Sequence, residues 1–290
     1  MNEFIISYEE LLILIRGGIM RRTVKGTSLR SVEGLPKVKG PFAEGIYGGC
    51  PGKEIYSTLP HLSEDQIREV SKEFAINFLT VPPSNHVVAA ACIRYIYGQF
   101  AKQGIHRSKE DFKRMKNEKQ EWELPRKFMG LVRKEFEKIN NFYGLCVLCE
   151  MEAHRLGDEA VLNKDKQKLV EMEEMYLKAV LFAEKCNSLK HLFTPYYWAF
   201  RCFYESKDND NSIKYALLTI EKASQYCPDT REGYVTKLRD CIWYMKKYDK
   251  DKYKEMVRKY EKNKNKCVKK AFEKKFFTPA YFRKNIKFLQ

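Results

Sequence analysis

The chain has 290 residues, of which 44% are hydrophobic and 13% aromatic, and its 54 Lys and Arg outnumber 38 Asp and Glu to give a net charge of +16. That apolar content is enough to offset chain entropy, so wholesale disorder is excluded. Apolar runs such as Leu11–Ile15 are far short of the roughly 18 residues that suggest a membrane span, and Glu9 and Glu10 before that run give the chain an acidic start unlike a secretory signal. A soluble, cytoplasmic protein is the expectation.

The charge is not spread evenly. From Lys246 to Gln290 there are 17 Lys and Arg against 5 Asp and Glu, whereas residues 1–245 carry 37 against 33. A nearly balanced body therefore ends in a cationic segment, and such a segment suits an acidic partner, a nucleic acid or an anionic surface.

In chain order, nine of the 15 glycines fall between Gly17 and Gly52 and four of the ten prolines between Pro36 and Pro60. Both residues are poor helix formers, so residues 1–62 read as an N-terminal segment with an irregular Gly/Pro-rich arm. Within it Arg16-Gly17-Gly18 shortly precedes Met20, as a translated purine-rich ribosome-binding site would, which marks Met20 as a candidate native start. From Ser63 onward helices dominate. Ser63 and Gln66 form a capping-box pattern opening Glu64–Leu79, with Ile67, Val70, Phe74 and Phe78 on one side. Pro82-Pro83 breaks the chain, a helix follows over Asn85–Lys102, and Ser108 caps a short polar one. Pro125 fits the first turn of a helix running to about Leu156, with a break near Asn140-Asn141 and Gly157 as a stop. Further helices are expected at about Gln167–Asn187, Pro195–Ser206, Asn211–Tyr226, Thr230–Lys247 and Lys250–Lys275, before a tail opened by Thr278-Pro279. Short turns between them imply antiparallel helix pairs, and the fold class is all-α. The division expected is 1–62, a helical subdomain 63–157, a helical region 158–277 with a basic terminal helix, and a tail 278–290.

A 34-residue window from Tyr197 to Thr230 places Ala216, Ala223 and Pro228 where a tetratricopeptide repeat has its small residues and proline, with Phe200 and Phe203 at packing positions. The window resembles a tetratricopeptide repeat, though Tyr204 and Lys207 depart from the pattern. The resemblance implies stacked helix pairs that hold a partner's peptide or helix. Tyr196, Tyr197, Trp198 and Phe200 are then candidate anchors, because aromatic rings give large contact area for little lost freedom. Leu79–Phe100 also looks like the helical segment before the thioredoxin-like domain of TraF-type conjugative pilus-assembly proteins, without the thioredoxin part.

The candidate chemistry is thin. Cys146-Val-Leu-Cys149 is the one CxxC, with His154 as a conceivable third ligand, yet it lies inside a helical pattern and reads as two packed thiols rather than a zinc site. The nine cysteines read as reduced core residues. The five histidines read as surface or turn residues. Gly48-Gly49-Cys50-Pro51-Gly52-Lys53 lacks the ending of a phosphate loop. No cofactor, metal or catalytic residue is expected. The basic end carries the strongest functional signal: Lys254, Arg258, Lys259, Lys262, Lys266, Lys269 and Lys270 accompany an apolar set at helical spacing. Phe276, Phe277, Tyr281 and Phe282 stand beyond them for stacking on bases. The reading is a non-enzymatic helical adaptor that engages a protein and, through its basic end, an acidic surface. Low-specificity nucleic-acid binding is the rival, since lysine is a point charge rather than a base-reading fork.

Overall fold

The computed structural model describes residues 5–18, 52–79, 93, 123–260 and 262–273, and these are all-α, with no strand among them. The expected Asn85–Lys102 helix apart from residue 93, the Ser108 helix, nearly all of the Gly/Pro-rich arm with Met20, the Gly48–Pro51 part of the glycine loop, and the end of the chain with Phe276, Phe277, Tyr281 and Phe282 lie outside the described residues. The helices are α1 Tyr8–Gly18, α2 Gly52–Thr58, α3 Glu64–Leu79, α4 Glu123–Lys138, α5 Phe142–Asn163, α6 Lys166–Lys185, α7 Thr194–Glu205, α8 Asn209–Tyr226, α9 Glu232–Tyr248, α10 Lys250–Tyr260 and α11 Lys266–Phe272. Short 3-10 turns occupy Leu59–His61 and Leu189–Leu192. None of the described helices is long and apolar enough to cross a membrane. Two compact units divide between Leu148 and Cys149, inside α5 rather than at Gly157.

In the first unit, Ser63 and Gln66 form the capping box that the sequence announces: the Ser63 N–H donates to Gln66 Oε1 at 2.9 Å and the Gln66 N–H to Ser63 Oγ at 3.3 Å. The same device opens α1, where the Ser7 N–H donates to Glu10 Oε2 at 2.8 Å and the Glu10 N–H to Ser7 Oγ at 3.2 Å. The N-terminal segment ahead of the Gly/Pro-rich arm is thus helical. Leu11 and Ile15 of α1, Ile55 of α2, Val70 and Phe74 of α3, and Phe128, Val132 and Phe136 of α4 are fully buried. Phe74 meets Phe128 edge-on at 6.1 Å, and Arg16 holds Glu73 through two nitrogens, each at 2.9 Å.

The break expected near Asn140-Asn141 is a tight turn. Asn140 takes a φ of 53°, the Asn141 N–H returns to the Phe136 carbonyl at 2.8 Å, and Asn141 Oδ1 accepts from the Gly144 N–H at 2.9 Å. That bond from beyond the helix end is the usual way to close a helix on a left-handed residue. Gly144 then sits against Phe136, where an added Cβ would lie 2.5 Å from the ring.

The second unit reuses this turn. Lys164 at φ 54° ends α5, and Asp165 caps α6 by accepting from the Lys168 N–H at 3.1 Å. Lys207 at φ 63° ends α7, and Asp208 caps α8 by accepting from the Asn211 N–H at 3.1 Å. Asp249 separates α9 from α10, accepting from the Lys252 N–H at 3.0 Å. Three Asp-capped helical hairpins, α5–α6, α7–α8 and α9–α10, therefore follow one another with their turns 43 and 41 residues apart. This spacing exceeds the 34 residues of the resemblance. Their shared core runs from Ala153 to Ala271 and includes Met172, Phe193, Ala199, Phe203, Ala216, Ile220, Ala223, Val235, Leu238 and Met245.

Gly157 does not stop a helix. It lies buried within α5, with Cys202 Sγ 2.5 Å and Met172 Sδ 3.2 Å from where its Cβ would be, so α6 and α7 close on this position. Gly157→Ala is expected to cost about 1–3 kcal/mol through overpacking. Gly130→Ala, with nothing within 4 Å of the new carbon, should instead gain up to about 1 kcal/mol of helix propensity. Urea unfolding of the two variants checks the opposite signs.

Candidate functional site

The basic end folds differently from a single long helix. In α10, Met256 and Tyr260 are buried, Tyr253 and Val257 are half-buried, and Lys250, Lys252, Lys254, Arg258 and Lys259 face outward. The helix ends at Tyr260 because asparagines take over the backbone. The Asn263 N–H bonds back to the Tyr260 carbonyl at 3.0 Å, and Asn263 Oδ1 accepts from the Asn265 N–H at 2.8 Å. Asn265 Oδ1 then caps α11, accepting from Cys267 N–H at 2.9 Å and Val268 N–H at 3.4 Å. Cys267, Val268 and Ala271 turn into the core. The expected Lys250–Lys275 helix is thereby corrected to two short helices with a cationic turn between them.

Along this bent ridge Lys262, Lys264, Lys266 and Lys269 are also exposed, while Lys270 is half-buried. Lys252 pairs with Asp249 at 3.4 Å, Lys254 with Asp251 at 3.2 Å, and Lys270 with Glu232 at 3.8 Å. The Arg239 guanidinium, 5% exposed, donates to the Lys270 carbonyl at 3.2 Å and pins α11 to α9. Among the described residues, Arg258, Lys262, Lys264, Lys266 and Lys269 have no carboxylate partner, and Lys259 lies 5.1 Å over the Tyr260 ring. The ridge's aromatic side chains Tyr253, Tyr260 and Phe272 point inward or are half-covered, so the described part of the ridge attracts anions without offering rings for stacking.

The four aromatic anchors are split by the structure. Tyr197 (4% exposed) and Phe200 (3%) belong to the core, which corrects their reading as partner anchors and leaves Phe200 at the packing position the repeat pattern gives it. On a helix that packs on both α8 and α9, these two positions fall on the buried side. Tyr196 is half-buried and stacks on Tyr215 at 6.3 Å. Trp198 is half-buried on the opposite side of α7, with His154 of α5 edge-on at 5.0 Å and the Lys237 ammonium of α9 at 5.0 Å from its ring.

Around Trp198 lies a polar set that sequence reasoning missed. His154 Nδ1 meets the Tyr176 hydroxyl at 2.8 Å, Arg201 holds Glu205 at 2.9 Å, and the Tyr197 hydroxyl donates to Asp240 Oδ2 at 2.7 Å. Burial pushes the Asp240 carboxyl above the ordinary aspartate range, although Arg201, the Tyr197 hydroxyl and Lys237 all act to lower it. The residues come from four helices, and their only local signal is a polar residue recurring at helical spacing among aromatics.

The CxxC thiols are both buried in α5, Cys146 fully and Cys149 at 2% exposure, and His154 is turned toward Tyr176 and Trp198. No group of three or more His, Cys, Asp or Glu suited to a metal occurs among the described residues. His191 lies in the Leu189–Leu192 turn, as a surface or turn residue would, but is buried in the core rather than on the surface. It is 2% exposed, with Nε2 3.3 Å from the equally buried Glu150 Oε2 and Nδ1 2.7 Å from Ser188 Oγ. Ser188 opens the same 3-10 turn three residues earlier, so this contact is a local one that fixes the turn against α5.

No protein-family model, no curated protein and no solved structure matches this chain.

Ionising a carboxyl whose value is raised by folding works against the folded state. Wild-type protein should therefore lose stability relative to Asp240→Asn as pH rises through about 3.9 and on through the raised value. Paired denaturant curves from pH 3 to 8 follow this difference; a flat difference would remove Asp240 from the account.

Proposed function

We propose that the chain is a non-enzymatic helical adaptor in which the 149–273 unit works as a tetratricopeptide-like stack of hairpins and its α10–α11 ridge docks on an acidic protein surface. The observation that carries this reading is the unneutralised ridge: among the described residues Arg258, Lys262, Lys264, Lys266 and Lys269 face solvent without carboxylate partners, while several acids elsewhere in the unit are committed internally. Glu173 accepts from Tyr215 and Lys214, Glu159 from Arg155 and Lys168, and Asp240 from Tyr197. Self-repulsion along such a ridge weakens the isolated chain slightly and is relieved by an anionic partner. The half-buried Trp198 with its flanking His154 and Lys237 supplies a second, more apolar contact for the same partner.

Nucleic acid is the second reading, favoured by the same unpaired cations. The inward turn of Tyr253 and Tyr260 speaks for a protein partner, because single-strand binders combine the cationic groove with rings on which bases stack. Replacing Arg258, Lys259, Lys262, Lys266 and Lys269 together by Gln leaves every described ion pair intact. Fluorescence anisotropy of the full chain against a polyglutamate peptide should show binding at about 50 mM salt that this variant weakens by about tenfold or more, fading toward about 200 mM. Tighter binding to a random-sequence duplex or single strand of matched charge would move the assignment to nucleic acid. Absence of binding to either anion at the lower salt would overturn both.

A further inference from the structure

We infer that Cys227 and Cys267 form a dithiol site that a hydroperoxide converts to an intramolecular disulfide, tying the end of α8 to the start of α11.

The two residues are 40 positions apart in sequence but are brought together by one carboxamide. Asn265 Nδ2 donates to the Cys227 carbonyl at 3.1 Å, and Asn265 Oδ1 accepts from the Cys267 N–H at 2.9 Å. Cys227 caps α8 in an extended conformation just before Pro228, so its backbone leaves the helix toward α11. The two thiols are near enough for each to act on the other's titration, and the Cys227 S–H donates to the Asp229 carbonyl at 3.3 Å. Cys227 is 7% exposed and Cys267 1%, which places Cys227 at the rim and Cys267 behind it.

This pair differs from the other thiols of the unit. Burial pushes the Cys186, Cys202 and Cys241 thiols up. The Cys227 thiol is drawn down, first by the hydrogen bond from Cys267 and further by the Arg231 cation, while Cys267 is pushed up by the same bond and by burial. A thiolate is the attacking species, so the roles divide. Cys227 sulfur attacks an oxygen of the hydroperoxide and the O–O bond breaks. The departing oxygen takes up the Cys227 proton and leaves as alcohol, or as water when the oxidant is hydrogen peroxide. Cys267 sulfur then attacks the Cys227 sulfenic sulfur, the S–O bond breaks, and hydroxide leaves with the Cys267 proton as a second water. Two thiols lose two electrons and the peroxide gains them.

The bond would hold α11, and with it Lys266, Lys269 and Lys270, against the end of α8. The inference does not depend on which partner the ridge meets.

The test uses the full reduced chain, treated with hydrogen peroxide at pH 7 and mapped by mass spectrometry without reduction. The expected product is a Cys227–Cys267 cross-linked peptide with loss of two titratable thiols per chain and a raised melting temperature. In Cys267→Ser the reaction should stop at a sulfenic acid on Cys227 that dimedone traps, and in Asn265→Ala cross-linking should slow. Wild-type protein that keeps both thiols under peroxide sufficient to oxidise free cysteine, or that cross-links a different pair, overturns the proposal without reference to any variant.

Discussion

The second unit depends on one local constraint, an aspartate that caps a helix immediately after the preceding helix has ended. Asp165, Asp208 and Asp249 each accept a backbone N–H three residues on, which satisfies donors that a helix start would otherwise leave open. At the first two turns a lysine in the left-handed region closes the preceding helix. A chain reversed within two or three residues has to pack its two helices antiparallel. Close approach then requires small residues at the crossing points, and Gly157, Ala199, Ala216 and Ala223 are there. The aromatic core, Tyr176, Phe193, Phe203, Tyr215 and Tyr244 among it, fills the space that the crossings define.

Charge follows from the same geometry. Helices packed on one side have a single wet face, and the acids of α5 to α9 largely spend theirs on caps, hydroxyls and neighbouring cations. By α10 the described carboxylates are few: Asp249 and Asp251 lie beside Lys252 and Lys254 at the helix start, and Glu255 stands one turn before Lys259. Exposed pairs of that sort contribute little, about 0–1 kcal/mol. Cations further along therefore keep most of their field toward solvent, anchored from beneath by Met256, Tyr260, Cys267 and Val268.

Much of the fold was legible in the residues. The capping pattern at Ser63 and the 3.6-residue recurrence of Ile67, Val70 and Phe74 placed α3, and Asn140-Asn141 placed the turn before α5. The equivalent pattern at Ser7 and Glu10 was equally present, close before the glycines at 17 and 18. Gly157 misled because a glycine needed for a close crossing looks the same in sequence as one that ends a helix. The split between α10 and α11 was carried by Asn263 and Asn265, whose competition for backbone donors was hidden inside a run of lysines. Burial of Tyr197, Phe200 and His191 was less legible. Each depends on which side of a helix meets two others, which a one-dimensional pattern rich in aromatics on every side does not fix. The Asp turns at 165, 208 and 249 were visible too, at a period that a 34-residue window passes over.

Amide hydrogen exchange across residues 149–273 tests the central claim most directly. Three Asp-turned hairpins with a separately capped α11 require protected segments interrupted at 164–165, 206–208, 249 and again at 262–265. Continuous protection from Lys250 to Phe272, or protection that runs unbroken through Lys207 and Asp208, would contradict it.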